Sequence, residues 1–573
     1  MKKIVDKVKN IVNKIDKNYL YIFMMCILML LPYISKTYHQ GDDSSYHLAT
    51  IYGLSQTNIF DIYHLKIFGF FANNFGYGAG LFYPQLSHIL PMYIFSLLKL
   101  FGGGIIVSVK ITKFLELFFS GFFMYRLVKL ITKNEKASLA SALLYITLPY
   151  HLTDILIRDA MAECFIFPFI PVVFISLYYL LNNEYKKFLI YFVIGCSCLI
   201  NSHLVLTMYF AFYIIIACIF NIKKILKWKN IKYIFIGIVV TLLICLPFLV
   251  PLIEHKIYGD YAVFLPDFMN DLGRLTRNKV ELFNLFWNDG GSRLVFINNI
   301  ICWGALIYTL FNYKKIKNKD NNFFLVSSLV FIVLSVILMS TFINWEKAPG
   351  FLRMLQFPWR LDTFLGFGLC LLFGLSFEKI KFLTLKEDSL LLVVIITCFI
   401  YGILPSKHLS LEENYWNNRK EWFSTQATFD NFVEYLPAKI VKGDMDFYLN
   451  RKQEIRIIDG EAEILDFENN VPKMTFKVTD VEEATIEAPR IYYLGYTIKA
   501  TYEDGSKEVL DYYENDYGFV EFKLDKDATI NINYTGTKYD NIGNVISFIT
   551  SIGCISYVII NNSKKKKLLA NNN

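Results

Sequence analysis

The most reactive-looking stretch of the chain is Gly41-Asp42-Asp43-Ser44-Ser45-Tyr46-His47. Two adjacent carboxylates repel, and they resist desolvation unless a cation, a metal or a substrate sits nearby. On a helix, Asp43 and His47 share one face at i, i+4. The plainer reading is a solvated helix N-cap, where Asp and Ser are favoured. A second constellation runs from His151 through Asp154, Arg158 and Asp159 to Glu163. Helical spacing places Asp154 with Arg158 on one face and Asp159 with Glu163 on another. Glu163 leads straight into the apolar run 164–181, and a carboxylate at that depth is costly without a partner or a task. The alternative is an ion pair closing two helix ends. A third stretch, Arg353-Met354-Leu355-Gln356-Phe357-Pro358-Trp359-Arg360, offers arginines suited to phosphate and a tryptophan suited to a membrane interface. Asn201-Ser202-His203 reads as a capping turn. No Walker loop, dinucleotide-binding glycine motif, His-Glu-x-x-His or CxxC pair is present, so chemistry on a soluble nucleotide has no support.

The elements that must hold these groups are membrane helices. The 573 residues are 54% hydrophobic and only 19% charged, against about 25% charged in soluble domains. Nearly charge-free apolar runs recur at 19–35, 188–200, 233–253, 323–343 and 390–404. Runs of roughly 18 apolar residues span a bilayer. The net charge of +8 does not point to nucleic acid, because the lysines cluster in short loops such as 186–187, 223–227, 314–319 and 564–567. That is the bias of cytoplasmic loops. The ten cysteines lie in or beside apolar runs and suggest neither disulfides nor zinc. The lysine-rich start, followed by an apolar run with no small-residue cleavage site, reads as a retained anchor.

Alternating the lysine loops gives about twelve crossings with both termini cytoplasmic. The apolar segment 86–101, which contains Pro91, breaks parity if it crosses. It is therefore assigned as a juxtamembrane helix inside a long first outer loop, 36–103. All eight histidines then fall in outer segments or at their boundaries, which makes the outer face the chemical face. The expected organisation is a transmembrane region 1–405, an extracytoplasmic β-rich domain 406–541, and a last helix with a basic cytoplasmic tail, 542–573. Strand-like alternation fills 454–534, with Asp459-Gly460 and Asp504-Gly505 as hairpin signals. An antiparallel β-sandwich is the natural expectation there.

Taken in order, these pieces resemble the GT-C glycosyltransferases. Shared features are the acidic pair Asp42-Asp43 early in a long outer loop and a juxtamembrane helix from Tyr83-Pro84 to Phe101-Gly102. A basic patch from Arg126 to Lys136 follows, and then a second outer loop with Arg158 and Glu163, Asp159 being a competing second acid. More narrowly, the stretch 42–54, Phe82-Tyr83-Pro84, the stretch 148–163, Phe357 to Arg360 and the segment from Tyr493-Leu494-Gly495-Tyr496 to Asp504-Gly505 are similar to YfhO-type bacterial membrane proteins. The same motifs resemble the group labelled 6-pyruvoyl-tetrahydropterin synthase-related. That label is no guide to activity, since no histidine zinc cluster reads from the residues.

The resemblance implies sugar transfer from a polyprenyl-phosphate donor to an envelope glycan, glycolipid or protein acceptor. Asp42 or Asp43 would be the base and Glu163 the second acid. Arg158, Arg353 and Arg360 would take the phosphate, with His47, His151 and Asp159 near the substrate. A divalent metal on Asp43, His47 and Glu163 is compatible with the resemblance but not required, because GT-C members of both kinds exist. Two other classes compete: a transporter or flippase for lipid-linked saccharide, and an envelope-assembly scaffold. The transporter predicts internal repeats and midplane charges, whereas no repeat is visible and the charges lie near outer boundaries. Convergence of Asp42, Asp43, Glu163 and Arg360 favours the enzyme, and their scattering favours the scaffold.

Overall fold

The computed structural model describes residues 16–56, 66–265, 272–287, 294–318, 321–380, 386–425, 429 and 432–571. The lysine-rich start up to residue 15, His64 and Lys319 lie outside the described residues. The chain is a helical membrane protein with a C-terminal antiparallel sheet. Each expected crossing segment is helical: Lys17–Met29, Ile105–Thr132, Glu135–Ile146, Met161–Leu181, Tyr185–Ser202, Leu204–Ile219, Trp228–Tyr258, Ile300–Ile316, Asn322–Met339, Asp362–Ser376, Glu387–Gly402 and Lys538–Asn571. Among the described residues, six helices are long and apolar enough to cross a membrane by length and composition, or seven if a bent pair counts as one span. Leu86–Lys99 has 14 residues and Pro91 inside it. At about 21 Å it is short for a crossing.

Two compact units divide the chain. The first comprises Met1–Ser44, Val109–Ile238 and Leu272–Tyr415. Its innermost element is the Asp362–Ser376 helix, every residue of which is buried. Glycines make that possible by letting neighbours approach the backbone closely. A Cβ on Gly368 would lie 3.0 Å from the Ser328 carbonyl oxygen, and one on Gly374 3.0 Å from Ser141 Cβ. The Ser141 hydroxyl donates to the Cys370 carbonyl at 2.8 Å, and Phe174 packs on Phe367 with ring centroids 4.7 Å apart.

The stretch that carries the second constellation is not one helix. Glu135–Ile146 and Pro149–Arg158 are bent by 41° across the Thr147-Leu148 break. Pro149 lacks the N–H that would continue the first helix. The chain then makes a wide π turn over Asp154–Arg158, and Asp159 adopts a left-handed conformation at φ 59°. Helical order resumes at Met161. Single π turns often mark places where a helix is deformed to present side chains. A short antiparallel ribbon, β1 (Thr37–His39) with β2 (Leu411–Glu413), lies just before the acidic pair, with Tyr38 opposite Glu412.

The second unit comprises Ser45–Ser108, Val239–Asp271 and Trp416–Asn573. Its sheet contains β3 (Arg456–Asn470), β4 (Lys473–Ile491), β5 (Tyr496–Tyr502), β6 (Lys507–Leu510), β7 (Tyr512–Glu514), β8 (Phe519–Leu524) and β9 (Ala528–Tyr534). The order is β6-β5-β9-β4-β8-β7, with β3 also on β4. The long β4 pairs β9 through 474–478 and β8 through 484–491, so it joins the two halves. Alternate residues of β9 are buried, as a half-buried strand requires. Asp504-Gly505 forms the expected turn between β5 and β6, with Gly505 at φ 81°. Asp459-Gly460 does not form a hairpin. It lies within β3, where the register shifts against β4, and Gly460 has φ 78°. A glycine at positive φ serves a bulge as well as a turn. Helices, not strands, occupy Tyr415–Ser424, Ala438–Lys442 and Met445–Asn450.

A buried ion pair joins Lys66 to the last helix in this unit. Lys66 Nζ lies 2.6 Å from Asp540 Oδ1 and also donates to the Pro247 carbonyl at 2.8 Å. That carbonyl lacks its usual helical donor because residue 251 is proline.

Candidate functional site: an acidic turn on an arginine–carboxylate cluster

The first unit brings the acidic pair and the second constellation together through backbone contact. The Asp43 N–H donates to the Arg158 carbonyl at 3.0 Å. The Gly41 N–H donates to Ser44 Oγ at 2.7 Å, and that hydroxyl donates to Asp159 Oδ2 at 2.7 Å. Tyr38, on β1, donates to the same oxygen at 2.6 Å. Lys113 Nζ pairs with Asp159 Oδ1 at 2.8 Å and stands over the rings of Tyr33 and Tyr38. Asp159 is thus the buried post to which the acidic turn is tied, and its charge is answered by Lys113.

Gly41 is required by close approach. A Cβ there would lie 2.6 Å from the carbonyl carbon and oxygen of Arg158 and from Asp159 Cβ. A Gly41→Ala protein should unfold more easily by about 1–3 kcal/mol, the usual cost of overpacking. Denaturant unfolding of the protein in lipid or detergent measures it, and an unchanged midpoint would mean that the turn is free to move off the 158–159 backbone.

The second centre is an ion cluster. Arg158 meets Glu163 through two parallel bonds, Nη1 to Oε2 and Nη2 to Oε1, each 2.9 Å. Its Nη1 also reaches Asp154 Oδ1 at 2.5 Å, and its guanidinium stacks over Trp359 with 4.4 Å to the ring centroid. Arg360 Nε donates to Glu163 Oε1 at 2.8 Å, and Arg360 Nη1 to Gln356 at 2.9 Å. The Tyr150 hydroxyl adds a bond to Glu163 Oε2 at 3.2 Å. Forked arginine–carboxylate pairs of this kind are strong and directional. Asp43 Oδ2 sits at the edge, 3.9 Å from Arg158 Nη2, with 42% of its side chain exposed. Desolvation pushes the Asp43 carboxyl up to about 6, with Arg158 opposing the shift and Glu163 adding to it. Asp42 is exposed beside it.

His151 is fully buried, pairs with Glu116 at 2.8 Å and stacks on Phe167. His47, in the second unit, is buried with Nδ1 2.7 Å from His88 Nε2. Arg353 is half-buried and makes no ion pair among the described residues. His203 caps its helix, Nδ1 accepting from the Leu206 N–H at 3.2 Å, and lies within the electrostatic reach of Glu163 and Arg360. Helical spacing misassigned one pair: Glu163 joins Asp154 and Arg158, while Asp159 turns to Lys113, because the helix breaks at Asp159.

Sequence reasoning missed Lys113, Tyr150 and Gln356. It also missed Asp362, which is buried and bonded to Asn298 at 2.9 Å. A lysine and a glutamate, Lys113 and Glu116, within a largely apolar helix that also carries Lys110, Arg126 and Lys129 were the available signal, since ionisable residues at membrane depth need partners. For a metal the donors do not fit. No group of three His, Cys, Asp or Glu side chains among the described residues is arranged to hold one. Both oxygens of Glu163 are taken by arginine, and the Nδ1 of His47 faces His88.

No family model matches the chain. A curated relative, an uncharacterized protein of Lactococcus lactis subsp. cremoris (strain MG1363), is 27% identical over 353 residues, covering 56% of this chain and 53% of that protein. The chain thus spans about half the length of the curated relative it matches. Among solved structures, it is similar to the Archaeoglobus fulgidus oligosaccharyltransferase in the apo form, with TM-score 0.47 and 12% identity, covering 74% of this chain and 60% of that one. It is also similar to ArnT from Cupriavidus metallidurans bound to undecaprenyl phosphate, with TM-score 0.43 and 10% identity, covering 72% and 70%.

Proposed function

We propose that this chain is an integral membrane glycosyltransferase that moves a sugar from a polyprenyl-phosphate donor to a cell-envelope acceptor on the outer face. One observation carries the reading: the Asp42-Asp43 turn is bonded to the backbone of Arg158, the residue whose guanidinium gathers Asp154 and Glu163, with Arg360 on the same carboxylate. That arrangement sets a carboxylate beside fixed positive charge at a helix break.

The roles divide by accessibility. Asp43 is the base. It is reachable from solvent, and its carboxyl, raised above the ordinary aspartate value by the part of the side chain that is buried, is ionised at neutral pH yet basic enough to accept a proton in the transition state. It takes the proton of the acceptor hydroxyl as that oxygen bonds to the anomeric carbon. The bond from that carbon to the phosphate oxygen breaks, and the phosphate leaves with the electron pair. Negative charge grows on the leaving oxygen, where preoriented guanidinium donors are most effective. Arg360 Nη2, which makes no hydrogen bond among the described residues, is the donor for it. Glu163 holds the two arginines in place. In this reading the termini are cytoplasmic and the sheet domain is extracytoplasmic.

The test is reconstitution of the protein in liposomes with polyprenyl-phosphate sugars, alongside comparison of envelope glycans in deletion and wild-type cells. The expected result is donor consumption with a new glycoside in vitro and one glycan missing in the deletion. Movement of the lipid-linked sugar across the bilayer with no glycosidic bond made would replace this reading with a flippase. Unchanged glycans and untouched donor would remove it.

A further inference from the structure

A divalent cation needs several oxygen or nitrogen donors free to point at it. Around the acidic turn every deep carboxylate already faces a cation of the chain itself. Glu163 Oε1 accepts from Arg158 Nη2 at 2.9 Å and from Arg360 Nε at 2.8 Å. Its Oε2 accepts from Arg158 Nη1 at 2.9 Å and from Tyr150 at 3.2 Å. Asp154 is paired with Arg158 through Oδ1, its buried Oδ2 lacking a hydrogen-bond partner among the described residues, and Asp159 is paired with Lys113. These carboxylates are 0–2% exposed, so water cannot take over if the pairs break.

Guanidinium charge is permanent and cannot be titrated away to make room. A cation placed at Glu163 would have to displace a forked arginine pair and then sit beside both guanidinium groups. One placed at Asp43 would lie beside Arg158 Nη2, itself 3.9 Å from Asp43 Oδ2. Trp359 and Phe357, stacked on Arg158 and Arg360, further hold the two groups where they are.

We infer that Arg158 and Arg360, by occupying Glu163 and Asp154, leave no ligand set for a divalent cation, so that the site meets a departing phosphate with guanidinium donors and works without metal. This rests on the glycosyltransferase reading for what the charge does, but not for whether a metal binds.

The experiment uses the full chain purified into lipid nanodiscs, equilibrated with Mn²⁺ or Zn²⁺ and freed of unbound ion. Metal content is measured directly, and thermal unfolding is followed with and without EDTA. The expected result is no stoichiometric ion and an unchanged unfolding temperature. One ion retained per chain, lost in a Glu163→Gln protein, would overturn the inference, as would destabilisation by EDTA that Mn²⁺ reverses. In the transfer assay, an unchanged rate in EDTA is expected, and a rate lost in EDTA and restored by Mn²⁺ would also overturn it. Absence of transfer from any polyprenyl-phosphate sugar counts against the function alone, because the wild-type metal content still decides this point.

Discussion

An Asp43→Asn protein should transfer sugar at least about 100-fold more slowly than wild type, because positioned acid–base groups contribute about 10²–10⁴-fold. Asparagine keeps the side-chain shape and leaves the backbone bond from residue 43 to the Arg158 carbonyl untouched, so the turn should stay in place. What disappears is the proton acceptor. Asp42→Asn should cost less, since Asp42 is the more exposed of the two. The pH profile is a second readout with a definite sign. The base works only when ionised, and partial burial raises Asp43 above an ordinary aspartate, so kcat/KM of wild type should rise with pH along a limb lying above the ordinary one and no higher than about 6. An ordinary aspartate would place that limb near about 4. Retention of wild-type rate by Asp43→Asn, with its acid limb unmoved, would remove Asp43 as the base.

The other large effect is on stability. Glu163→Gln should destabilise the protein by about 3–5 kcal/mol, the range seen when one member of a buried ion cluster is removed. Glutamine fills the space but cannot balance charge. Arg360 would lose its only ion pair among the described residues, and Arg158 would keep Asp154 and the distant Asp43. Asp154→Asn is the informative contrast. It leaves the forked Arg158–Glu163 pair intact and should cost clearly less. Chemical unfolding in mixed micelles compares the two. Equal midpoints for wild type and Glu163→Gln would show that the cluster is solvated and not a buried lock.

Much of the architecture was legible because membrane helices are written in composition. A backbone in lipid must satisfy its own hydrogen bonds, so a long apolar run has little choice but to be a helix. Each expected crossing segment is helical, six of these helices, or seven with the bent pair, being long and apolar enough to span among the described residues. The site was legible only in part. Asp43, Arg158, Glu163 and Arg360 were singled out for their chemistry, and they gather in the first unit. Trp359 was read as an interface anchor and instead stacks on Arg158. His47 and His151 were singled out for the same chemistry, yet both are buried against other partners. Residue type advertises a capacity, while the neighbour that uses it comes from a distant helix.

What this sequence decided by itself is the repeated helix and the alternating strand, since both follow from local hydrophobic period and from residues such as Pro149 and Gly505 that forbid or permit a backbone state. Which acid serves which cation was decided only in three dimensions. The break at Asp159 rotates Glu163 away from its helical neighbour and hands it to Arg158, and Arg360 arrives from about 200 residues further along the chain. Electrostatic pairing acts over a few ångströms of space, and no count of positions along a chain measures that distance.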